Sequence, residues 1–365
     1  MIVLGAFRGA ARLTCRYAHA ERGPTDVIDS FTTEVLQPLV RGTDLERDQA
    51  RDALGTILEG LVEPVLISSF LTALTAKGET AAEMTGFVDA MMSAATTFQV
   101  SQDAVDIVGT GGDQLHTVNI STMASLVVAG CGVPVAKHGN RAASSSVGSA
   151  DVLEALGVRL DAPADVVRQC VDEAGIGFMY APTFHPALGN LVPIRRALGF
   201  RTIFNVLGPL ANPARVRRSV IGVAQAHLLD SMAHVVHARG TTLSVLVHAD
   251  DGLDELSLGT SSSVHEIRPD GVRVRDLDAG AELGLHHSAA SIRGGDTAHN
   301  VAVVRAFLEG TPGPVFDVAC ANAALALMVA ERAESLSTGF TMARAAVLDG
   351  RAARALERLV QVSNS

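Results

Sequence analysis

Apolar residues recur at helical spacing over the first hundred positions and in short β-branched runs after that. This change of period divides the chain. Thr43-x-x-Glu46 reads as a capping box, and Ala50, Ala53, Leu54, Ile57 and Leu58 follow at positions that share one helix face. Pro64 opens a second helix, rich in Leu, Ile and Ala, that closes at Lys77-Gly78, a cation followed by a C-terminal glycine. Thr80-x-x-Glu83 starts a third, running to about Ala95. The pattern predicts a small all-helical domain over residues 31–102.

From Val105 the pattern alternates. Strands are predicted at 105–108, 133–136, 176–179, 202–206, 218–224 and 243–248. Helices are predicted at 121–130, 149–156, 163–174, 226–238, 297–309, 315–333 and 338–360. Such alternation gives an α/β domain with a mostly parallel central sheet covered by helices. Pro269-Asp270-Gly271, between Val264-x-Glu266-x-Arg268 and Val272-x-Val274, marks a hairpin within 258–275. The segment 181–200 interrupts the alternation, is helix-like, and is assigned to the helical domain. The α/β domain is then 103–180 and 201–365.

Composition narrows the class. With 365 residues, 48% hydrophobic and 19% charged, the chain can bury a sizeable core and is not a disordered protein. A net charge of −10 argues against nucleic-acid binding by bulk phosphate neutralisation, while an anionic small molecule can still be held by local cations and helix ends. Cys15, Cys131, Cys170 and Cys320 form no C-x-x-C pair and read as reduced thiols of a cytoplasmic protein rather than a metal or redox site. No apolar run reaches the ~18 residues of a membrane helix, so no membrane partner is expected. Residues 1–30, with Arg8, Arg12, Arg16 and Arg22 among Ala, Leu and Phe, read as a poorly ordered extension or an over-called start, with a transit-like helix as the alternative.

Chemistry concentrates between Asp106 and Ser149. A strand feeds Gly109-Thr110-Gly111-Gly112-Asp113, and Asn119-Ile120-Ser121-Thr122 then begins an apolar helix. The next strand delivers Lys137-His138-Gly139-Asn140-Arg141 and a serine run, Ser144 to Ser146. Glycines let backbone N–H groups approach an anion, and a helix start favours negative charge, so the two loops suit a polyanion such as phosphate. Taken alone, the glycine turn is a common feature and Asn119 could be a plain helix cap; the pairing gives them weight. Asp254-Glu255 follows another strand end. Adjacent carboxylates are usually solvent-facing, but beside phosphate loops they suit magnesium, with Ser121 as a third oxygen. Arg195 could grip a substrate carboxylate or be an ordinary helix-surface arginine. His185 and His248 read as structural, and no nucleophile triad or zinc spacing is present.

G-T-G-G-D, N-I-S-T, K-H-G-N-R-x-x-S-S, R-T-I-F-N-V-L-G-P-L-A-N-P at 201–213 and D-G-L-D-E at 251–255 occur in this order. Over residues 31–360 the chain resembles the anthranilate phosphoribosyltransferases, of the nucleoside-phosphorylase-like fold. The resemblance implies a homodimer formed through the helical domains, and phosphoribosyl pyrophosphate and anthranilate as substrates, with one or two magnesium ions. By motif, it implies that phosphoribosyl pyrophosphate meets Gly109, Gly112, Asp113, Thr117, Asn119, Ile120, Ser121, Thr122, Lys137, His138, Gly139, Asn140, Arg141, Ala142, Ala143, Ser144, Ser145 and Ser149. It implies magnesium on Ser121, Asp254 and Glu255, and anthranilate against Gly109, Asn140 and Arg195. Gln114-Leu115-His116 departs from the family, which often has another small residue there.

On this reading the anthranilate amine displaces pyrophosphate from ribose C1 with inversion. Lys137, Asn140 and Arg141 act by positioning and charge, and His138 is the nearest candidate for a base. Three rivals stand beside it. A pyrimidine nucleoside phosphorylase would not carry Lys137 to Arg141 in this form. A non-catalytic nucleic-acid binder would need a basic surface. A paralogue acting on a substituted anthranilate would share every motif.

Overall fold

A computed structural model describes residues 28–101, 103–142 and 147–365. Most of the 1–30 extension, Cys15 and the Ala143 to Ser146 part of the serine run lie outside the described residues. The chain separates into two compact units, 28–90 with Asn190–Ile203, and Met91–Gly189 with Phe204–Ser365.

The smaller unit is all helical. Helices Arg47–Leu58, Pro64–Lys77 and Ala81–Ala94 carry it, with Val192–Leu198 added from the later segment. Phe70 packs between Phe31 and Phe87, with ring centroids 5.9 and 5.8 Å away. Thr80 and Glu83 make a reciprocal cap: the Thr80 N–H donates to Glu83 Oε2 (2.8 Å) and the Glu83 N–H to Thr80 Oγ1 (3.2 Å). The buried Glu83 carboxylate also takes Lys77 Nζ at 3.0 Å and the Leu45 N–H at 2.9 Å. At the first helix the expected cap is displaced by one turn. Arg47 is the first helical residue, and Gln49 Oε1 accepts the Glu46 N–H at 3.0 Å, so Glu46 rather than Thr43 stands at the cap.

The larger unit holds a seven-stranded sheet: β1 (Val105–Gly109), β2 (Val135–Gly139), β3 (Ile176–Tyr180), β4 (Arg218–Gly222), β5 (Leu243–Ala249), β6 (Ser262–Arg268) and β7 (Gly271–Leu277). The spatial order is β3-β2-β1-β4-β5-β6-β7, parallel from β3 to β5 and antiparallel at β6 and β7. The parallel strands are apolar almost throughout, as strands covered on both faces must be. Val105, Ile107 and Val135 join the main core with the Ile120–Gly130, Pro314–Val329 and Arg351–Ser363 helices. Ala136 and Met179 join a smaller core with Val167, Val171, Phe184 and Ala214 on the other face. The 258–275 hairpin is β6–β7, with Arg268 opposite Gly271.

Three expected elements differ. Residues 202–206 are not a strand: Phe204–Leu207 forms a helical turn that runs into Gly208–Leu210, where Pro209 sets the backbone for a tight helix start. The 338–360 helix is two, Leu336–Leu348 and Arg351–Ser363, broken at Gly350 (φ 71°). The second strand starts two residues later than expected and runs to Gly139, so Lys137 and His138 belong to it rather than to a loop.

Candidate active site

The order of parallel strands reverses between β1 and β4, and ligands of such sheets collect beyond the strand ends at that point. The carboxyl ends there are Gly109 and Gly222, neighbours in register. The loop after β5 crosses them. Asp254 Oδ2 accepts the Gly111 N–H at 2.7 Å, and the glycine turn is also tied to β4, because the Thr110 N–H donates to Gly222 O at 2.9 Å and Thr110 Oγ1 accepts the Ala224 N–H at 3.0 Å. Asp113 Oδ1 accepts the Leu115 N–H at 3.2 Å. The departure Gln114-Leu115-His116 carries two left-handed residues, Gln114 at φ 60° and His116 at φ 52°, which turn the chain back toward Thr117. Thr117 forms an antiparallel bridge with Arg293.

The helix start is held on both sides. Asn119 does not cap its helix: its Nδ2 donates to Val147 O (3.2 Å) and its Oδ1 accepts from Asn300 Nδ2 (3.1 Å). The Ser121 N–H donates to Glu255 Oε1 at 3.2 Å, so an acidic side chain sits at the positive end of the Ile120–Gly130 helix. Ile120 and Thr122 are buried, and the Ile120 side chain belongs to the core.

Lys137 is 1% exposed. Its ammonium donates to Ile107 O and to Ser121 Oγ, the latter at 3.2 Å. Burial pulls it down to about 8, against the opposing charges of Asp106 and Glu255. His138 is buried, with its ring 5.3 Å from that of His185, and burial pushes its imidazole down to about 3. A group that reluctant to take a proton is a poor general base at neutral pH. Arg141 is not aimed at an open loop: Glu154 takes it through both carboxylate oxygens (2.7 and 2.9 Å), Asp151 at 3.0 Å and Tyr180 Oη at 3.3 Å. Asn140 Oδ1 accepts the Arg141 N–H at 2.8 Å, and the Ala142 N–H donates to Asp151 Oδ2 at 3.1 Å. Ser149 Oγ lies 3.4 Å from Asn140 O. Gly139 ends β2 between them.

Arg195 stands on the Val192–Leu198 helix of the smaller unit. Gly109, Gly112, Asp113, Thr117, Asn119 to Thr122, Lys137 to Ala142, Ser149, Asp254 and Glu255 all belong to the larger one. Ala143, Ser144 and Ser145 lie outside the described residues.

The carboxylate pair suits a divalent cation with oxygen ligands. Glu255 Oε2 is buried and has no hydrogen-bond partner among the described residues. Burial, then the charge of Asp254, hold the Glu255 carboxyl well above its ordinary range. No group of three or more His, Cys, Asp and Glu side chains is placed to hold a metal among the described residues, and the oxygen donors that could hold such a cation here are Asp254, Glu255 and the Ser121 hydroxyl.

Sequence reasoning missed Asp106, Asn212 and Asn300. Asp106, 1% exposed, accepts the His138 N–H (3.2 Å) and Asn212 Nδ2 (2.7 Å). Burial raises its carboxyl to about 6. Its signal was a carboxylate inside an otherwise apolar strand run. Asn300 had no such signal, because it sits on an ordinary helix start.

Comparison with known proteins places this architecture. The α/β-domain pattern of a glycosyl transferase family matches residues 101–353, and that family's helical bundle domain matches residues 33–95. The chain thus belongs to a glycosyl transferase family built from a helical bundle domain and an α/β domain. Anthranilate phosphoribosyltransferase of Thermomicrobium roseum is 49% identical over 91% of this chain and 97% of its own; that of Chloroflexus aggregans is 46% identical over 90% and 98%. The crystal structure of the Thermus thermophilus anthranilate phosphoribosyltransferase superposes with a TM-score of 0.85 at 39% identity, covering 91% of this chain and 100% of that one. The Saccharomyces cerevisiae enzyme in complex with phosphoribosyl pyrophosphate and magnesium gives 0.84 at 26% identity, covering 92% and 98%. The chain belongs to the anthranilate phosphoribosyltransferase family.

Proposed function

We propose that this chain transfers the 5-phosphoribosyl group of phosphoribosyl pyrophosphate to the amine of anthranilate. The products are N-(5-phosphoribosyl)anthranilate and pyrophosphate, the second step from chorismate to tryptophan. The observation that carries the reading is the meeting of four features at one sheet reversal: the glycine turn, the Ser121–Glu255 bond, the Asp254 brace and the buried Lys137 ammonium.

The work of the site is positioning and charge. The glycine turn and the helix start are assigned the diphosphate as a shaped floor: the Thr110, Gly111 and Ser121 N–H groups are already given to Gly222, Asp254 and Glu255, and they hold the loops in place. Lys137 supplies positive charge that water does not screen. The aromatic amine is a weak base and attacks ribose C1 neutral, from the face opposite the leaving pyrophosphate. Its proton leaves as the bond forms, so no strong base is needed, and the low basicity of His138 fits that account. Asp254, Glu255 and Ser121 would hold magnesium, which when bound neutralises charge on the departing diphosphate. Arg195 is assigned the anthranilate carboxylate, with Gly109 and Asn140 against the ring and amine. Arg141 holds the β2 loop in shape through Asp151 and Glu154.

The chain is also proposed to form a homodimer through its helical unit. That unit exposes Val40, Leu61, Val65, Val192 and Phe200, the kind of apolar surface a partner covers. No helix among the described residues is long and apolar enough to cross a membrane, and a cytoplasmic location is proposed with the activity.

Release of pyrophosphate tests the reaction. It is expected when anthranilate, phosphoribosyl pyrophosphate and magnesium are all present. Equal release without anthranilate would contradict the assignment of the acceptor.

A further inference from the structure

β1 and β2 do not pair as their neighbours do. β1 is in register with β4 at five positions and β2 with β3 at five, but β1 meets β2 in register only at Val105 and Val135. Beyond that pair, side chains replace the missing ladder. Asp106 Oδ1 takes the His138 N–H at 3.2 Å, Asn212 Nδ2 donates to Ala136 O at 3.0 Å, and the Lys137 ammonium donates to Ile107 O. Asp106 and Asn212 are joined to each other at 2.7 Å, and Asn212 is fixed in turn by the Ala214 N–H on its Oδ1 at 2.9 Å.

Alternation along the strands puts Val105, Ile107, Val135 and Lys137 on one face and Asp106, Ala136 and His138 on the other, in agreement with the two cores. The Asp106–Asn212 pair thus enters the sheet from the side away from the Ile120–Gly130 helix. The Lys137 ammonium occupies the other side, between Ile107 O and Ser121 Oγ. A regular parallel pairing would give Ile107 O to the His138 N–H, so that the Lys137 ammonium would have to share that oxygen with a backbone donor.

We infer that Asp106 and Asn212 form a polar wedge that holds β1 and β2 apart and so places the Lys137 ammonium for the diphosphate, which makes both of them positioning residues for phosphoribosyl transfer. This rests on the function proposed above. It adds that the cation of the site is set from beneath the sheet, by two residues that touch no substrate. Asp106 also supplies negative charge that keeps a buried ammonium charged.

The test is a double-mutant cycle read in phosphoribosyl pyrophosphate affinity by calorimetry with magnesium present, so that it does not depend on turnover. Asp106→Asn and Asn212→Ala are each expected to weaken binding about tenfold, in the range usual when the support of a ligating group is lost. In a Lys137→Met background either change is expected to weaken it less than about twofold, because the group they place is gone. In steady state both should raise the KM for phosphoribosyl pyrophosphate and leave that for anthranilate unchanged. Losses that multiply in the Lys137→Met background, or wild-type affinity in both single variants, would overturn the inference. If Asp106→Asn does not fold, Asn212→Ala and Asn212→Asp carry the cycle. An unsubstituted chain that binds phosphoribosyl pyrophosphate but transfers nothing to anthranilate would fault the functional reading and leave the cycle as a test of the wedge.

Discussion

Gly222 and Asp254 approach so closely that a Cβ on Gly222 would lie 1.5 Å from the Asp254 carbonyl oxygen. Gly109, the register partner of Gly222 on β1, would set a Cβ 2.3 Å from Asp254 Oδ2. The two strand ends thus form a floor without side chains, on which the acidic loop rests. The obstacle at Gly222 is backbone, which cannot swing aside. Gly222→Ala should therefore cost at least about 2 kcal/mol of stability and displace Asp254, with a larger loss of turnover than of folding. A thermal melt beside a kcat measurement checks this; wild-type kcat would show that the loop position does not matter.

The carboxylate pair should act through the metal. Asp254→Asn combined with Glu255→Gln is expected to abolish magnesium-dependent turnover. Both changes conserve shape, so the fold should persist by circular dichroism. A variant with an ordinary magnesium response would remove Asp254 and Glu255 from the metal site.

Arg195→Ala should raise the KM for anthranilate by about tenfold or more while leaving that for phosphoribosyl pyrophosphate near wild type, since an arginine–carboxylate fork is a strong, geometry-bound pair. Arg195→Lys should restore little, because an ammonium cannot reproduce the fork. An unchanged anthranilate KM in Arg195→Ala would end its role as the clamp.

His138 gives a pH prediction. Its folded value of about 3 lies below the ordinary 6.5, so between those limits the unfolded chain takes up a proton that the folded chain refuses. Its contribution to stability is full above about pH 6.5 and is lost as pH falls toward 3, with an upper bound of about 5 kcal/mol. Asp106, raised to about 6, slopes the other way over an overlapping window, so the comparison must be with a variant. Denaturant melts of wild type and His138→Asn from pH 7 to 4 should converge as the pH falls. Parallel curves, or an imidazole resonance that titrates near 6.5, would contradict the assignment.

Much of this was legible in the chain. Period-3.6 and period-2 runs separated the helical part from the sheet. The turn Pro269-Asp270-Gly271 announced the antiparallel edge, because only one connection fits so short a link. The loops that carry glycine, hydroxyl and carboxylate groups were visible because such residues are dense there and scarce elsewhere. Residues 202–206 misled, since a β-branched and aromatic run can also open a helical turn ahead of Gly208-Pro209. Lys137 was read as a loop cation. Its ammonium bonds Ile107 O across the poorly paired β1 and β2, where Asn212, 75 positions further on, takes Ala136 O, and no local pattern connects the two residues. The same holds for Arg141: its type suggested phosphate, and only the fold shows Asp151 and Glu154 already around it.

The central claim is most directly tested by anthranilate fluorescence. Purified protein is mixed with anthranilate, phosphoribosyl pyrophosphate and magnesium, and the signal is followed with and without EDTA. A decay that needs both substrates and stops when the metal is chelated is expected. A steady signal from folded protein that still binds phosphoribosyl pyrophosphate would contradict it and move the acceptor to another amine.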